Sequence, residues 1–135
     1  MPGPVTALHE RELNSQANAL LAARAALEKQ AEGVVVLDLR ALSSVTDFFV
    51  VATAGSPPHF KALQEHLDAV LEQHGCAVGH VEGAPAARGP TQPAAEPQWV
   101  LMDCGEIVVH LFNQHARSFY RLEDLWADAP RVPVS

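Results

Sequence analysis

The sequence predicts an α/β domain in which helices flank a mixed β-sheet. Two apolar patterns at helical spacing, at 6–32 and 56–75, alternate with short β-prone runs. The order helix, two strands, helix, strand, hairpin and short helices favours one sheet with helices packed against it. With 135 residues, of which 48% are hydrophobic and 19% are charged, the chain has the length and composition of one folded domain.

The first part of the domain predicts a helix followed by two buried strands. Thr6 is a suitable N-cap for the helix, and Gly33 is expected to end it. A continuous β-branched run at 34–39 indicates a buried strand. A second apolar, β-prone run predicts a strand at 48–53.

A second helix, a short strand and a loop are predicted next. Ser56 can cap the helix because its hydroxyl precedes Pro57 at the first helical position, and Gly75 is expected to end it. A strand over 76–81 should follow. Residues 84–98 are rich in proline and alanine and have no periodicity, which predicts an exposed loop.

The last third predicts a β-hairpin and short helices. Two strand patterns at 99–103 and 107–112 are joined by Cys104-Gly105-Glu106, with glycine where a positive φ is expected. Short helical turns are expected at 117–129. We therefore divide the chain into a flexible segment and helix start at 1–12, a single domain at 13–129 and a flexible tail at 130–135.

The net charge and hydropathy of the sequence limit the classes of partner and the cellular compartment that we expect. Sixteen acidic and nine basic residues give a formal net charge of −7, which disfavours a non-specific grip on nucleic acid. The charge suits a basic protein partner and is also ordinary for solubility. No secretory signal or run of about 20 apolar residues is visible, so we expect a cytoplasmic protein without a membrane partner. Cys76 and Cys104 are expected to be free thiols.

A phosphate-binding site is one alternative that the sequence raises. Gly55 and Ser56 follow a strand and precede a helix, as in nucleotidyltransferases, which add an Asp-x-Asp pair on the following strand for two metals. Here that strand ends in the single carboxylate Glu82. We expect a helix cap, with no catalytic residue and no cofactor. The alternative is a minimal nucleotidyltransferase that uses Asp38, Asp47 or Asp103.

Seven histidines raise the alternative of a metal site. His110 with His115, and His80 with Glu82, are the nearest pairs, but neither has a recognised ligand spacing. Cys104 and His110 share the hairpin, yet no third group is placed to activate the thiol. We therefore expect no metal.

Large amphipathic rings and carboxylates concentrate in the last third, as expected where an anchor and an acidic rim face a basic partner. Trp126 follows Leu122 and Leu125 at helical spacing, which favours a place in the core. For Trp99 the sequence favours neither the core nor the interface. The candidate partner-binding residues are Trp99, Asp103, Glu106, His110, Tyr120, Glu123 and Trp126.

Five segments in this order resemble the ribosomal silencing factor family, also called Iojap or RsfS-like. They lie at 38–40, 46–56, 81–83, 99–110 and 119–126, and the resemblance covers about residues 10 to 129. The sequence departs from the family pattern in the long loop at 84–98, in Pro57-Pro58-His59-Phe60 and at Cys104.

The resemblance implies a nucleotidyltransferase-like topology without the catalytic carboxylates, and no enzymatic activity. It implies binding to the large ribosomal subunit through ribosomal protein uL14, so that the small subunit cannot join and translation is repressed. The hairpin at 99–110 and the segment at 120–126 are expected to face this partner. The resemblance also implies homodimers off the ribosome. A scaffold that only dimerises through the hairpin edge is a further alternative.

Overall fold

A six-stranded mixed sheet with helices on both faces forms the architecture. A computed structural model describes residues 4–83 and 98–134, with side chains described from residue 14 onward. The sheet order is β3-β4-β5-β2-β1-β6. The helices are α1 (Pro4–Glu28), α2 (Pro57–Gln73), α3 (Gln114–Tyr120) and α4 (Leu122–Leu125), and the strands are β1 (Glu32–Asp38), β2 (Phe48–Thr53), β3 (His80–Glu82), β4 (Trp99–Asp103), β5 (Ile107–Phe112) and β6 (Arg131–Val132).

The central strands β2 and β5 are parallel, and the other neighbouring pairs in the described ranges are antiparallel. All six residues of β5 are buried. A strand that is apolar on both sides needs cover on both faces of its sheet, which the helices provide. The predicted fold class, an α/β domain with a mixed sheet flanked by helices, is confirmed.

Helices α1 and α2 cover the first face of the sheet and enclose the larger core. Alanines on α1, including Ala19, Ala22 and Ala26, are fully buried, so this helix approaches the sheet closely. The buried side chains of α2 recur at helical spacing as predicted. They are Phe60, Leu63, Leu67 and Leu71. None of the helices in the described ranges is long and apolar enough to cross a membrane.

Helices α3 and α4 cover the second face, and the smaller core lies beneath them. Leu37, Val51 and Phe112 project from three strands of this face and are fully buried or nearly so. With seven and four residues, these helices are much shorter than α1 and α2. The second face is therefore only partly covered.

The first helix and strand differ from their predicted bounds. Helix α1 begins at Pro4, before Thr6, and ends at Glu28. Gln30 then takes a positive φ of 63°, and Gly33, with φ 57°, lies inside β1. A Cβ at Gly33 would lie 2.7 Å from Nη1 of Arg117. Gly33 therefore provides room for a distant arginine and does not end the helix.

Three predictions about the next elements have different outcomes. The N-cap at Ser56 is confirmed, because its Oγ accepts a hydrogen bond of 3.2 Å from the backbone N–H of His59. Strand β2 and both hairpin strands have the predicted bounds. Strand β3 covers only His80–Glu82, not 76–81. The Cys76 N–H instead donates to the Leu71 carbonyl and so completes the end of α2.

The C-terminal segment also differs from the expectation. A flexible tail was expected at 130–135, but Arg131 and Val132 form β6 and pair with Leu37 and Val36. A two-residue strand between prolines carries no periodic pattern that a sequence could reveal. The helical turns expected at 117–129 are divided by Arg121, whose φ is 51°. The predicted loop at 84–98 lies outside the described residues except for its last position.

We predict that Gly83→Ala destabilises the fold more than Gly75→Ala. Both glycines have positive φ, 69° and 78°, so either alanine is strained by roughly 1–2 kcal/mol. A Cβ at Gly83 would also overlap the carbonyl of Trp99, whereas Gly75 has open space around it. Overpacking of that kind adds roughly 1–3 kcal/mol. Urea unfolding of both variants measures the difference, and equal losses would contradict the close approach at Gly83.

Candidate functional site

Aromatic rings from three neighbouring strands share the second face of the sheet. Trp99 lies opposite Phe112, and His110 and Phe49 follow on the adjacent strands β5 and β2. These positions share a face because side chains alternate along each strand. Helix α3 and the end of α4 add two more rings. We call this surface the aromatic face, formed by Phe49, Trp99, His110, Phe112, Tyr120 and Trp126.

Trp99 is the centre of the aromatic face. Its ring centroid lies 4.8 Å from that of Tyr120, 5.0 Å from that of Phe112 and 5.7 Å from that of His110. Aromatic pairs at such distances contribute about 0.5–1.5 kcal/mol each beyond burial. Trp99 is half-buried. It therefore belongs to the packing of this face and also reaches its surface.

His110 is a buried support for Trp99. It is 3% exposed, and its Nδ1 accepts a hydrogen bond of 3.0 Å from Trp99 Nε1. Burial lowers the pKa of His110 to about 4, so the imidazole is neutral at physiological pH. A neutral ring that accepts at Nδ1 carries its proton on Nε2. His110 fixes the orientation of the indole from inside and does not itself present a surface to a partner.

Glu123 joins four elements of the second face. Its carboxylate accepts from Arg117 Nε at 2.7 Å and from Arg131 Nη2 at 3.3 Å. Arg117 also donates from Nη1 to Thr53 Oγ1 at 2.8 Å. Removing one member of such a partly buried network leaves its partners unsatisfied. Glu123 therefore holds α3, α4, β2 and β6 together, a structural role that was not predicted for it.

An apolar surface borders the aromatic face on α3 and α4. Phe119 is 67% exposed, Leu125 is 76% exposed and Tyr120 is 42% exposed. Our candidate set included Tyr120 and omitted Phe119 and Leu125. The neighbouring rings at 119 and 120 were a usable signal, because adjacent side chains of a helix point about 100° apart and a short helix buries only one narrow side. These three side chains form the exposed apolar patch.

The remaining candidates lie at the opposite end of the hairpin. Asp103 Oδ1 accepts a hydrogen bond of 2.7 Å from the Gly105 N–H and thereby holds the turn. The Glu106 carbonyl accepts from the backbone N–H groups of Asp47 and Phe48. Four residue steps along β4 separate Trp99 from Asp103, a span of about 13 Å. The predicted cluster therefore divides into an aromatic end and an acidic turn.

The structure does not assemble the alternative nucleotidyltransferase site. Gly55 and Ser56 follow the carboxyl end of β2, whereas Asp38 and Asp47 lie at its other end. The six residues of β2 place these groups about 20 Å apart. The Gly55 N–H already donates to His59 Nδ1 at 2.9 Å.

Of the two suggested metal pairs, the structure brings together only His80 and Glu82. His110 is buried, whereas His115 is exposed and stacks on Phe119. His80 and Glu82 form an exposed pair at 2.9 Å on β3. Within the ranges that the structure describes, no group of three or more histidine, cysteine or acidic residues is placed to hold a metal ion.

Comparison with known proteins identifies the family. The model of the family described as "Ribosomal silencing factor during starvation" matches residues 12–135. This chain is a member of the ribosomal silencing factor family. The resemblance drawn from the five segments is therefore confirmed.

Several relatives and solved structures agree with this assignment. The silencing factor RsfS of Halalkalibacterium halodurans is 36% identical over 84% of this chain and 89% of its own length. That of Bacillus subtilis is 34% identical over 87% and 92%. A crystal structure from Chromobacterium violaceum has a TM-score of 0.71 at 28% identity and covers 83% of this chain and 85% of its own. One from Bacillus halodurans has a TM-score of 0.66 at 34% identity, covering 84% and 94%.

Three of the segments that carried the resemblance contribute rings to the aromatic face. They lie at 46–56, 99–110 and 119–126. These segments come together because Trp99 packs on Tyr120 and Phe49 packs on Trp126, with centroids 4.8 Å and 5.5 Å apart. These three parts of the family pattern therefore meet on one surface.

We predict that burial of neutral His110 makes the silencing factor less stable in acid. Its pKa is about 4 when folded and returns to the ordinary 6.5 when unfolded, so the unfolded chain binds the extra proton between these values. The contribution of neutral His110 to the free energy of unfolding is fully present above pH 6.5, and it falls by about 3 kcal/mol as the pH drops to 4. His110→Gln keeps an acceptor for Trp99 without titrating. Urea unfolding across this range should show the extra loss only with histidine, and parallel profiles would contradict it.

Proposed function

We propose that this silencing factor binds the large ribosomal subunit through ribosomal protein uL14 and sterically blocks joining of the small subunit, which represses translation. The proposal rests on membership of the family and on one structural observation. The aromatic face is only partly covered and is bordered by the exposed apolar patch of Phe119, Tyr120 and Leu125. Such a surface is suited to a macromolecular partner.

The composition of this surface fits a protein interface. Aromatic side chains anchored in a packed environment contribute most to interface affinity, because little side-chain freedom is lost on binding. Trp99 is held by His110 and Tyr120, so its ring is already oriented. The aromatic face is therefore proposed to supply the anchor of the interface.

The charges of the chain favour a basic partner. The formal net charge is −7, and Asp103 and Glu106 lie at the acidic turn of the hairpin. Complementary charges increase the association rate more than they increase the affinity. We therefore propose that the acidic turn steers and orients the partner during association. The aromatic face is proposed to set the rate of dissociation.

The proposed mechanism needs no chemical step. A factor bound where the small subunit docks excludes that subunit by volume, so repression follows the occupied fraction of large subunits. This agrees with relatives that are named silencing factors rather than enzymes. We accordingly propose a non-catalytic regulator that acts in the cytoplasm.

Homodimers off the ribosome are a separate part of the proposal. Strand β3 is an edge of the sheet, and its three residues are exposed. An edge strand has unpaired backbone groups that a second copy can pair with. The edge lies beside β4, so a dimer formed there would compete with binding near Trp99.

We predict that the purified protein migrates with large subunits on a sucrose gradient and not with small subunits or assembled ribosomes. Added in excess, it should reduce formation of assembled ribosomes from separated subunits. Purified uL14 should capture it directly. Absence from every ribosomal fraction would overturn the proposed function, whereas binding to large subunits without binding to uL14 would change the contact only.

A second prediction uses matched leucines. Leu125 is exposed on α4 beside the aromatic face, and Leu42 is exposed in the β1–β2 loop. Leu125→Ala should weaken binding to large subunits by about tenfold, as expected for an interface side chain, and Leu42→Ala should leave it unchanged. Pelleting titrations measure both, and equal affinities would exclude the exposed apolar patch from the interface.

Trp99 should matter more than either carboxylate of the acidic turn. Trp99→Ala is expected to weaken binding more than Asp103→Lys or Glu106→Lys, because rim charges contribute less than a central aromatic anchor. Trp99 also packs in the fold, so circular dichroism must first show that the variant is folded. A larger loss from a charge reversal would make the acidic turn the anchor.

A further inference from the structure

Two thiols meet on the side of the sheet that carries α1 and α2. Cys76 follows α2 and is buried, and Cys104 begins the hairpin turn and is half-buried. Both line one open cavity of about 450 Å³, together with Gly105 and Glu106. The cysteines are 28 positions apart in the chain, so the fold and not the local sequence brings them together.

Backbone hydrogen bonds hold both cysteines in place. The Cys76 N–H donates to the Leu71 carbonyl at 2.8 Å, and the Cys104 N–H donates to the Ile107 carbonyl at 2.9 Å. Gly79 donates to the Asp103 carbonyl at 2.9 Å and joins the segment after α2 to the end of β4. The thiols are thus presented to each other by two anchored segments, and the cavity gives a small molecule access.

The two thiols are chemically unequal. A hydrogen bond with Cys104 lowers the pKa of Cys76, against opposing contributions from burial and from the charge of Glu106. The same hydrogen bond, followed by burial and the charge of Cys76, raises the pKa of Cys104. The two sulfurs therefore lie within hydrogen-bonding reach of each other, and a thiolate is the nucleophile in thiol oxidation.

We propose that Cys76 and Cys104 are a modification site that hydrogen peroxide converts reversibly into an intramolecular disulfide. One cysteine reacts with the peroxide, and the other resolves the product. The proposal does not rest on ribosome binding, because it is argued only from two thiols that pack on the first face of the sheet, away from the aromatic face.

The reaction is balanced in two steps. The thiolate of one cysteine attacks one peroxide oxygen, the O–O bond breaks, and sulfenic acid and one water form after protonation of the leaving hydroxide. The sulfur of the other cysteine then attacks the sulfenic acid sulfur, the S–O bond breaks, and a second water leaves with the proton of the attacking thiol. Overall, two thiols lose two hydrogens and one peroxide is reduced to two waters. A dithiol reductant reverses the change by exchange.

The disulfide would connect the end of α2 with the hairpin turn. The disulfide would close a loop in the unfolded chain and so reduce the conformational entropy of that chain. This should raise the melting temperature by roughly 5–10 °C. A structural consequence is that Asp103 and Glu106, which flank the turn, would be held more rigidly to α2.

Intact mass measurement of the full chain tests the proposal. The reduced protein is treated with equimolar peroxide, denatured and alkylated with N-ethylmaleimide. We expect a monomer that has lost two hydrogens and takes no alkyl group, and that regains two alkylatable thiols after treatment with dithiothreitol. Disulfide formation should be roughly tenfold or more faster in the folded protein than in urea, because folding holds the thiols together. Equal rates, two alkylated thiols, or crosslinked dimers as the main product would overturn it.

Single variants provide matched controls. Cys104→Ala and Cys76→Ala each leave one thiol, so neither can form the intramolecular disulfide, and dimedone should trap the remaining cysteine of at least one variant as a sulfenic acid. Loss of two hydrogens in either variant, or no trapped sulfenic acid in both, would contradict the proposal. The mass change of the unsubstituted chain decides the disulfide even if a variant fails to fold.

Discussion

The parallel register between β2 and β5 determines which side chains reach each face of the sheet. It pairs Phe48 with Ile107 and continues without a break to Thr53 and Phe112. Alternate residues of both strands therefore enter the larger core under α1 and α2, and the others form the aromatic face. A slip by one residue would exchange the two sets, so the core and the candidate site depend on the same pairing.

The helices cover the two faces of the sheet unequally, and this difference decides which side chains are available to a partner. Helices of 25 and 17 residues enclose the first face, whereas helices of seven and four residues cover the second. The polar groups beneath the short helices are used in the fold, as with Glu123 between Arg117 and Arg131. What remains available on that face is ring and aliphatic surface, which is suited to contact with a protein.

Local patterns predicted the elements whose causes are local. The two hairpin strands and the Ser56 cap are confirmed because neighbouring residues decide them. The role of Gly33 was missed, since it depends on Arg117, and β6 was missed because only pairing with β1 defines it. Composition identified the region of the candidate site but not its internal bonds, such as the one between Arg117 and Thr53, which are 64 positions apart.

The placement of the aromatic residues has a practical consequence for spectroscopy. The chain contains two tryptophans and one tyrosine, and these are Trp99, Trp126 and Tyr120. All three lie on the aromatic face, where Trp99 and Tyr120 are in ring contact. Intrinsic fluorescence excited through the indoles therefore originates at this one surface. An unlabelled sample therefore carries its own optical probe. A change in the emission maximum on docking would report directly whether this face gains or loses contact with water.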